Sequence, residues 1–122
     1  EVYERPVNRF VAEFLGSANL IPAERCNGRA YTAHGPLVVE RSPGWSDGTL
    51  AIRPERIRVC ENKPAVNAVC GRVRELIYRG NHMDLFVEPG PLRIRTAPMS
   101  NLLVGQDVWL ELSPEHLVAL SD

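Results

Sequence analysis

Lysine is almost absent from this sequence: Lys63 is the single example, and the basic side is otherwise arginine. The formal charge is -1 over 122 residues, so the chain as a whole exerts no pull on nucleic acid or an anionic membrane. No apolar run approaches the roughly 20 residues that a membrane-spanning helix needs, and the opening residues do not read as a signal peptide. Cysteine is scarce and unpatterned. Cys26, Cys60 and Cys70 form an odd set without Cys-x-x-Cys spacing, which reads as reduced thiols of a cytosolic protein. His34, His82 and His116 lie too far apart for a local ligand set, so no metal is expected. A phosphate-cradling GxxxxGK[ST] is missing, since Lys63 is followed by Pro64; no GxGxxG opens a helix and no nucleophile elbow is present. An isolated catalytic activity is not expected from such a chain.

What is present changes period along the chain. In EVYERPVNRFVAEFLGSANL, Val7, Phe10, Val11, Phe14 and Leu15 recur on one face of an α-helix. Pro6 suits its first turn and Gly16 its end. A helix of about ten residues is marginal alone in water, so its stripe must pack on something. Beyond Gly16 the period becomes two. Met83, Leu85 and Val87 alternate with Asp84, Phe86 and Glu88; Leu92, Ile94 and Thr96 alternate with Arg93 and Arg95; Val108, Leu110 and Leu112 alternate with Asp107, Trp109 and Glu111. With AYTAHGPLVVE (30–40), LAIRPERIRV (50–59) and CGRVRELIY (70–78), these runs predict about eight short strands. The class is mainly β, an OB-like barrel or sandwich, with a short N-terminal helix. No internal repeat is evident, and ENKPAVNA (61–68) is the natural seam between lobes 17–62 and 66–122.

Within LAIRPERIRV the apolar phase slips: Leu50 and Ile52 fall on even positions, Ile57 and Val59 on odd ones. One residue of phase must be absorbed between them, or one set would face water. Pro54, with fixed φ and no N–H, suits a bend there, and Glu55 lies close enough to pair with an outward Arg53, Arg56 or Arg58. A ligand site at Arg53 and Glu55 is the alternative. Gly80, Asn81 and His82 suit a hairpin turn, or a loop that touches a ligand or partner. Trp109, on the outward phase, either covers the barrel or marks an interface, and Trp45 on a loop has the same two readings. Arg72, Arg74, Arg93 and Arg95 could line a basic strip, but the aromatics are not interleaved with it as a single-strand nucleic-acid binder requires.

Taken in order, VYERPVNRFVAEFLGSANLIPA, LAIRPERIRV, GRVRELIYRGNHMDLFVE and VGQDVWLELSPEHLVAL resemble the C-terminal, transport-associated OB-like (TOBE) domain of ATP-binding subunits of bacterial ABC importers. The resemblance runs over nearly the whole chain, and its most specific parts are ERPVNRFVAEFLGSANL (4–20) and AIRPERIRV (51–59). It is nearer to spermidine/putrescine-type and ferric-iron-type importers than to the maltose type. The resemblance implies that residues 1–16 are a helix leading from a nucleotide-binding domain, and that residues 17–122 are the regulatory β domain. Val7, Phe10, Val11, Phe14 and Leu15 would face the ATPase domain or a partner. Arg53, Pro54 and Glu55 match a recurrent motif of structural character, and Gly80 matches the glycine after the second long strand. The implied partners are a second copy, the nucleotide-binding domain and the membrane subunits, at the cytoplasmic side of the inner membrane. ATP and Mg would belong to the nucleotide-binding domain, whose motifs are not in these residues, so no cofactor and no catalytic residue carries over. A molybdate-type relative of the fold keeps a small-oxyanion-binding barrel as the alternative.

Overall fold

The phase slip in LAIRPERIRV is resolved by a single turn of 3-10 helix. In a computed structural model that describes residues 17–40, 46–99 and 101–120, Pro54–Arg56 form this turn. Arg56 N–H donates to the Arg53 carbonyl at 3.0 Å and Ile57 N–H to the Pro54 carbonyl at 3.4 Å. Proline suits the first position because its missing N–H would have had no partner there. The turn lets Ile52 and Ile57 both enter the core despite their opposite parity. Residues 110–119 carry the same slip. Leu110 and Leu112 are even and Leu117 is odd, all three are buried, and a 3-10 turn at Pro114–His116 lies between them.

Among the described residues ten strands surround these turns: β1 Asn19–Cys26, β2 Arg29–Thr32, β3 Gly35–Leu37, β4 Asp47–Ile52, β5 Arg58–Cys60, β6 Ala68–Tyr78, β7 Met83–Glu88, β8 Leu92–Thr96, β9 Asp107–Glu111 and β10 Val118–Leu120. The mainly β, OB-like class is as the sequence predicts, with β1 and β10 additional to the expected eight strands. Pro22 and the polar end of β1 hide its period, and β10 is only three residues long. Pro22 is tolerated because β2 pairs with β1 only from Glu24 onward, so at Pro22 the strand has a partner on the β4 side alone. The expected helix over residues 6–15 lies outside the described residues.

The strands form two five-stranded sheets, in the orders β10-β4-β1-β2-β3 and β5-β9-β6-β7-β8. Every pairing is antiparallel. The two orders are one order used twice, since β1–β4 in the first sheet stand where β6–β9 stand in the second. The last strand of each half is exchanged. β5 leaves the first half to pair with β9, and β10 leaves the second half to pair with β4. Each 3-10 turn is the point at which the chain crosses from one sheet to the other. A repeat that sequence inspection does not show is therefore plain in the topology, because the halves share positions rather than residue identities. Ile21, Leu50 and Ile52 from one sheet and Val69, Leu85, Ile94 and Leu110 from the other belong to one continuous buried cluster.

Candidate functional site

The first functional candidate, Arg53-Pro54-Glu55, sits where the chain joins β1. Pro54 is buried, and its turn packs against β8. The Arg53 guanidinium donates to the Ser17 hydroxyl at 3.3 Å and lies 3.8 Å from the Glu55 carboxylate. Arg93, on β8, donates from Nη2 to the Ser17 carbonyl at 3.0 Å. Two arginines thus hold the residue through which residues 1–16 connect to the sheet. Behind them Asn19 ties the two sheets together. Its Oδ1 accepts from Arg93 N–H at 2.8 Å, while its Nδ2 donates to the Arg93 carbonyl at 2.9 Å and the Ile52 carbonyl at 3.4 Å.

Asn67 repeats this device in the other half. Its Oδ1 accepts from Val38 N–H, and its Nδ2 donates to the carbonyls of Val38 and Leu112, all at 2.7 Å. Leu112 precedes Pro114 by two residues as Ile52 precedes Pro54, so each asparagine braces the strand end that leads into a crossing turn. Asn67 adopts φ 53°, a left-handed conformation that asparagine tolerates better than most residues. Sequence reasoning passed over both residues, because a lone asparagine beside a strand ordinarily signals a turn.

Gly80, Asn81 and His82 form the tip of the β6–β7 hairpin. Arg79 N–H donates to the His82 carbonyl at 2.8 Å, Gly80 has φ 93°, and the His82 Nδ1 lies 2.9 Å from the Asn81 side-chain oxygen. Beneath the tip is a group that alternation would place in water. Asp84 is on the outward phase of β7, yet only 2% exposed, because Arg79 and Arg95 fold over it. Their Nε atoms reach its two oxygens at 3.1 and 3.2 Å. Burial pushes the Asp84 carboxyl up, but the hydrogen bonds and charges of Arg79 and Arg95 outweigh that and hold it below the ordinary carboxylate value.

Trp109 is half-buried on the outward face of the second sheet, between Cys60 on β5 and Cys70 on β6. Lys63 Nζ stands 5.6 Å from the centre of its ring. Asp84, Trp109 and Arg53 have different partners: Arg79 and Arg95 for the first, Lys63 for the second, Ser17 and Glu55 for the third. The apolar stripe Val7, Phe10, Val11, Phe14 and Leu15, and Trp45, lie outside the described residues. Two open hollows lie in the surface of the described residues. One is lined by Pro22, Glu24, Tyr31, Asp47 and Thr49, the other by Arg72, Glu88 and Pro89–Pro91. His34, at the β2–β3 turn, has a buried Nδ1 without a partner, and burial lowers its pKa. Among the described residues no group of three or more His, Cys, Asp or Glu side chains could hold a metal ion. Nor is any helix there long and apolar enough to cross a membrane.

Against known proteins, the sequence is 40% identical over 93 residues to a sulfate/thiosulfate import ATP-binding protein of Chromobacterium violaceum, covering 73% of this chain and 25% of that protein. It is 30% identical to a spermidine/putrescine import ATP-binding protein of Thermobifida fusca, over 98% of this chain and 36% of the relative. An Fe(3+) ions import ATP-binding protein of Streptomyces coelicolor is 32% identical, over 98% of this chain and 34% of its own length. The chain therefore spans between a quarter and somewhat over a third of these relatives. In three dimensions it resembles the cytoplasmic molybdate-binding protein ModG, with a TM-score of 0.65 over 85% of this chain and 96% of that one, at 9% identity. That likeness is one of fold. Residues 50–120, from the first crossing turn through the second, match the TOBE domain family. The chain belongs to the TOBE domain family, in the form carried by ATP-binding subunits of ABC importers.

Proposed function

We propose that this chain is the regulatory and dimer-supporting C-terminal part of an importer ATP-binding subunit, and that it hydrolyses no ATP by itself. The observation that carries the reading is the pattern of the matches. Relatives named for import and ATP binding align over 73% to 98% of this chain, yet the chain covers only 25% to 36% of them. The sequence has no phosphate loop of its own, so ATP and Mg would be handled by a nucleotide-binding domain joined through residues 1–16. The matched relatives take up sulfate or thiosulfate, polyamines and ferric iron by name, and the solute carried here is polyamine or another small solute of that range. Its place is the cytoplasmic side of the inner membrane, held there through membrane subunits.

Light-scattering mass over a dilution series, on the chain and on a version lacking residues 1–16, tests the reading. A dimer that persists after the deletion supports self-association through the β body, at surfaces such as the Gly80–His82 tip or Trp109. Monomers throughout would overturn dimer support. A second reading, a barrel that binds a small oxyanion, is favoured by the molybdate-bound state of the structural neighbour. Calorimetric titration with molybdate, sulfate and phosphate separates the two, because a bracing module gives no saturable heat.

A further inference from the structure

Because the two sheets are built to one plan, their outer faces can be compared position by position. At the end of the second sheet nearest its crossing turn, β5, β9 and β6 place Arg58, Glu111 and Ala68 side by side. Arg58 and Glu111 form an ion pair at 3.0 Å. The equivalent row of the first sheet is Val118, Ala51 and Leu20, on β10, β4 and β1. The polar row has become wholly apolar. Leu20 is 52% exposed and Val118 42%, while Ala51 between them is fully buried. The next row, Leu120, Thr49 and Pro22, adds two more apolar side chains. The apolar character is confined to one of two related faces, so it is not a requirement of the fold.

This face adjoins the place where residues 1–16 meet the sheet. Ser17 is fixed by Arg53 and Arg93, and Leu20 follows three residues later. We propose that the outer face of the first sheet, with Leu20, Ala51 and Val118 at its centre, is the docking surface for the apolar stripe of residues 7–15. Leu20 and Val118 present exposed aliphatic surface there, and the stripe offers Phe10 and Phe14 to cover it. Only residues 16–19 separate Leu15 from Leu20, a tether of at most about 14 Å, so the stripe is held within reach of this face. This inference does not depend on the transporter role.

Amide hydrogen exchange of residues 7–15 in the full chain tests it, with Leu20→Glu/Val118→Glu as the disrupting variant and Ala68→Glu on the related face as the control. Protection of the segment by about tenfold or more over the isolated peptide is expected, lost in the double variant and kept in the control. Unchanged β6 and β9 exchange verifies that the sheets survive, and the milder Leu20→Ser/Val118→Ser pair replaces the glutamates if they do not. Equal protection in wild type and variant, or none in wild type, overturns the proposal. So does protection that disappears on dilution as the light-scattering mass halves, which would make the occupant a second copy.

Discussion

The half from Ser17 to Cys60 and the half from Asn67 to Leu120 follow one strand order, yet each has been adapted to a different neighbour. The first half presents a short hairpin, an apolar outer row and an asparagine that is only partly buried. The second has an eleven-residue β6 against an eight-residue β1, an ion-paired outer row and an asparagine that is almost wholly enclosed. Strand order is thus fixed by what the core demands, while the outer face and hairpin length are free to vary. Two positions are the same in both halves: the proline of each crossing turn and the asparagine that ties its preceding strand.

The comparison is broken most severely at those asparagines. Asn67→Ala removes three hydrogen bonds, leaves the Val38 and Leu112 groups unpaired and forces alanine into a left-handed backbone. A loss of about 4 kcal/mol is expected in urea unfolding. Asn19→Ala, at a partly exposed site with φ outside that region, should cost about 2 kcal/mol. Equal losses would mean that burial does not distinguish the two ties. An effect of the same size as that of Asn19→Ala is expected at Gly71, which lies opposite Val108 where its counterpart Ala23 lies opposite Gly48. A Cβ on Gly71 would come within 3.0 Å of the Glu88 carbonyl and clash with the Val87 side chain. Gly71→Ala should therefore destabilise by about 2 kcal/mol, and adding Val87→Ala should not restore it fully, since the backbone contact remains.

The smallest effect, and the one that sharpens the comparison, concerns the extra length of the second hairpin. Asp84 clamps Arg79 and Arg95 at a level where the first half has already turned at Asn27 and Gly28. Asp84→Asn should lower stability by about 1 kcal/mol at neutral pH, because both arginines are half-exposed and partly screened. The sign with pH follows from a carboxyl held below its ordinary value of 3.8. Its contribution is complete above that value and is lost as the pH falls through the lower value of the folded state. The difference between wild type and Asp84→Asn should narrow over that acid window; a gap independent of pH would remove the charge from the explanation.

Much of this could be read from the sequence where the signal is local. The slip from Ile52 to Ile57 announces a bend, and Gly80-Asn81-His82 lies between two alternating runs and joins them in the structure. Strand exchange could not be read, because the partner of β4 is set by a segment that lies beyond β9. Asp84 alternates outward and is buried only because two arginines from other positions fold over it. The same slip between Leu112 and Leu117 is visible in the letters, but its meaning emerges only beside the first. Of the candidate site residues, local pattern gave positions, and the ties at Asn19 and Asn67 needed the third dimension.

The exchange of β5 and β10 has a consequence for the order in which the molecule can be made. A ribosome releases the first half well before the second, but β4 acquires its outer neighbour only from Val118–Leu120. β5, released early, must wait for β9 before it has any partner at all. Neither sheet can be completed during synthesis until nearly the last described residue has left the tunnel. Until then an unpaired edge of β4 is open to other chains.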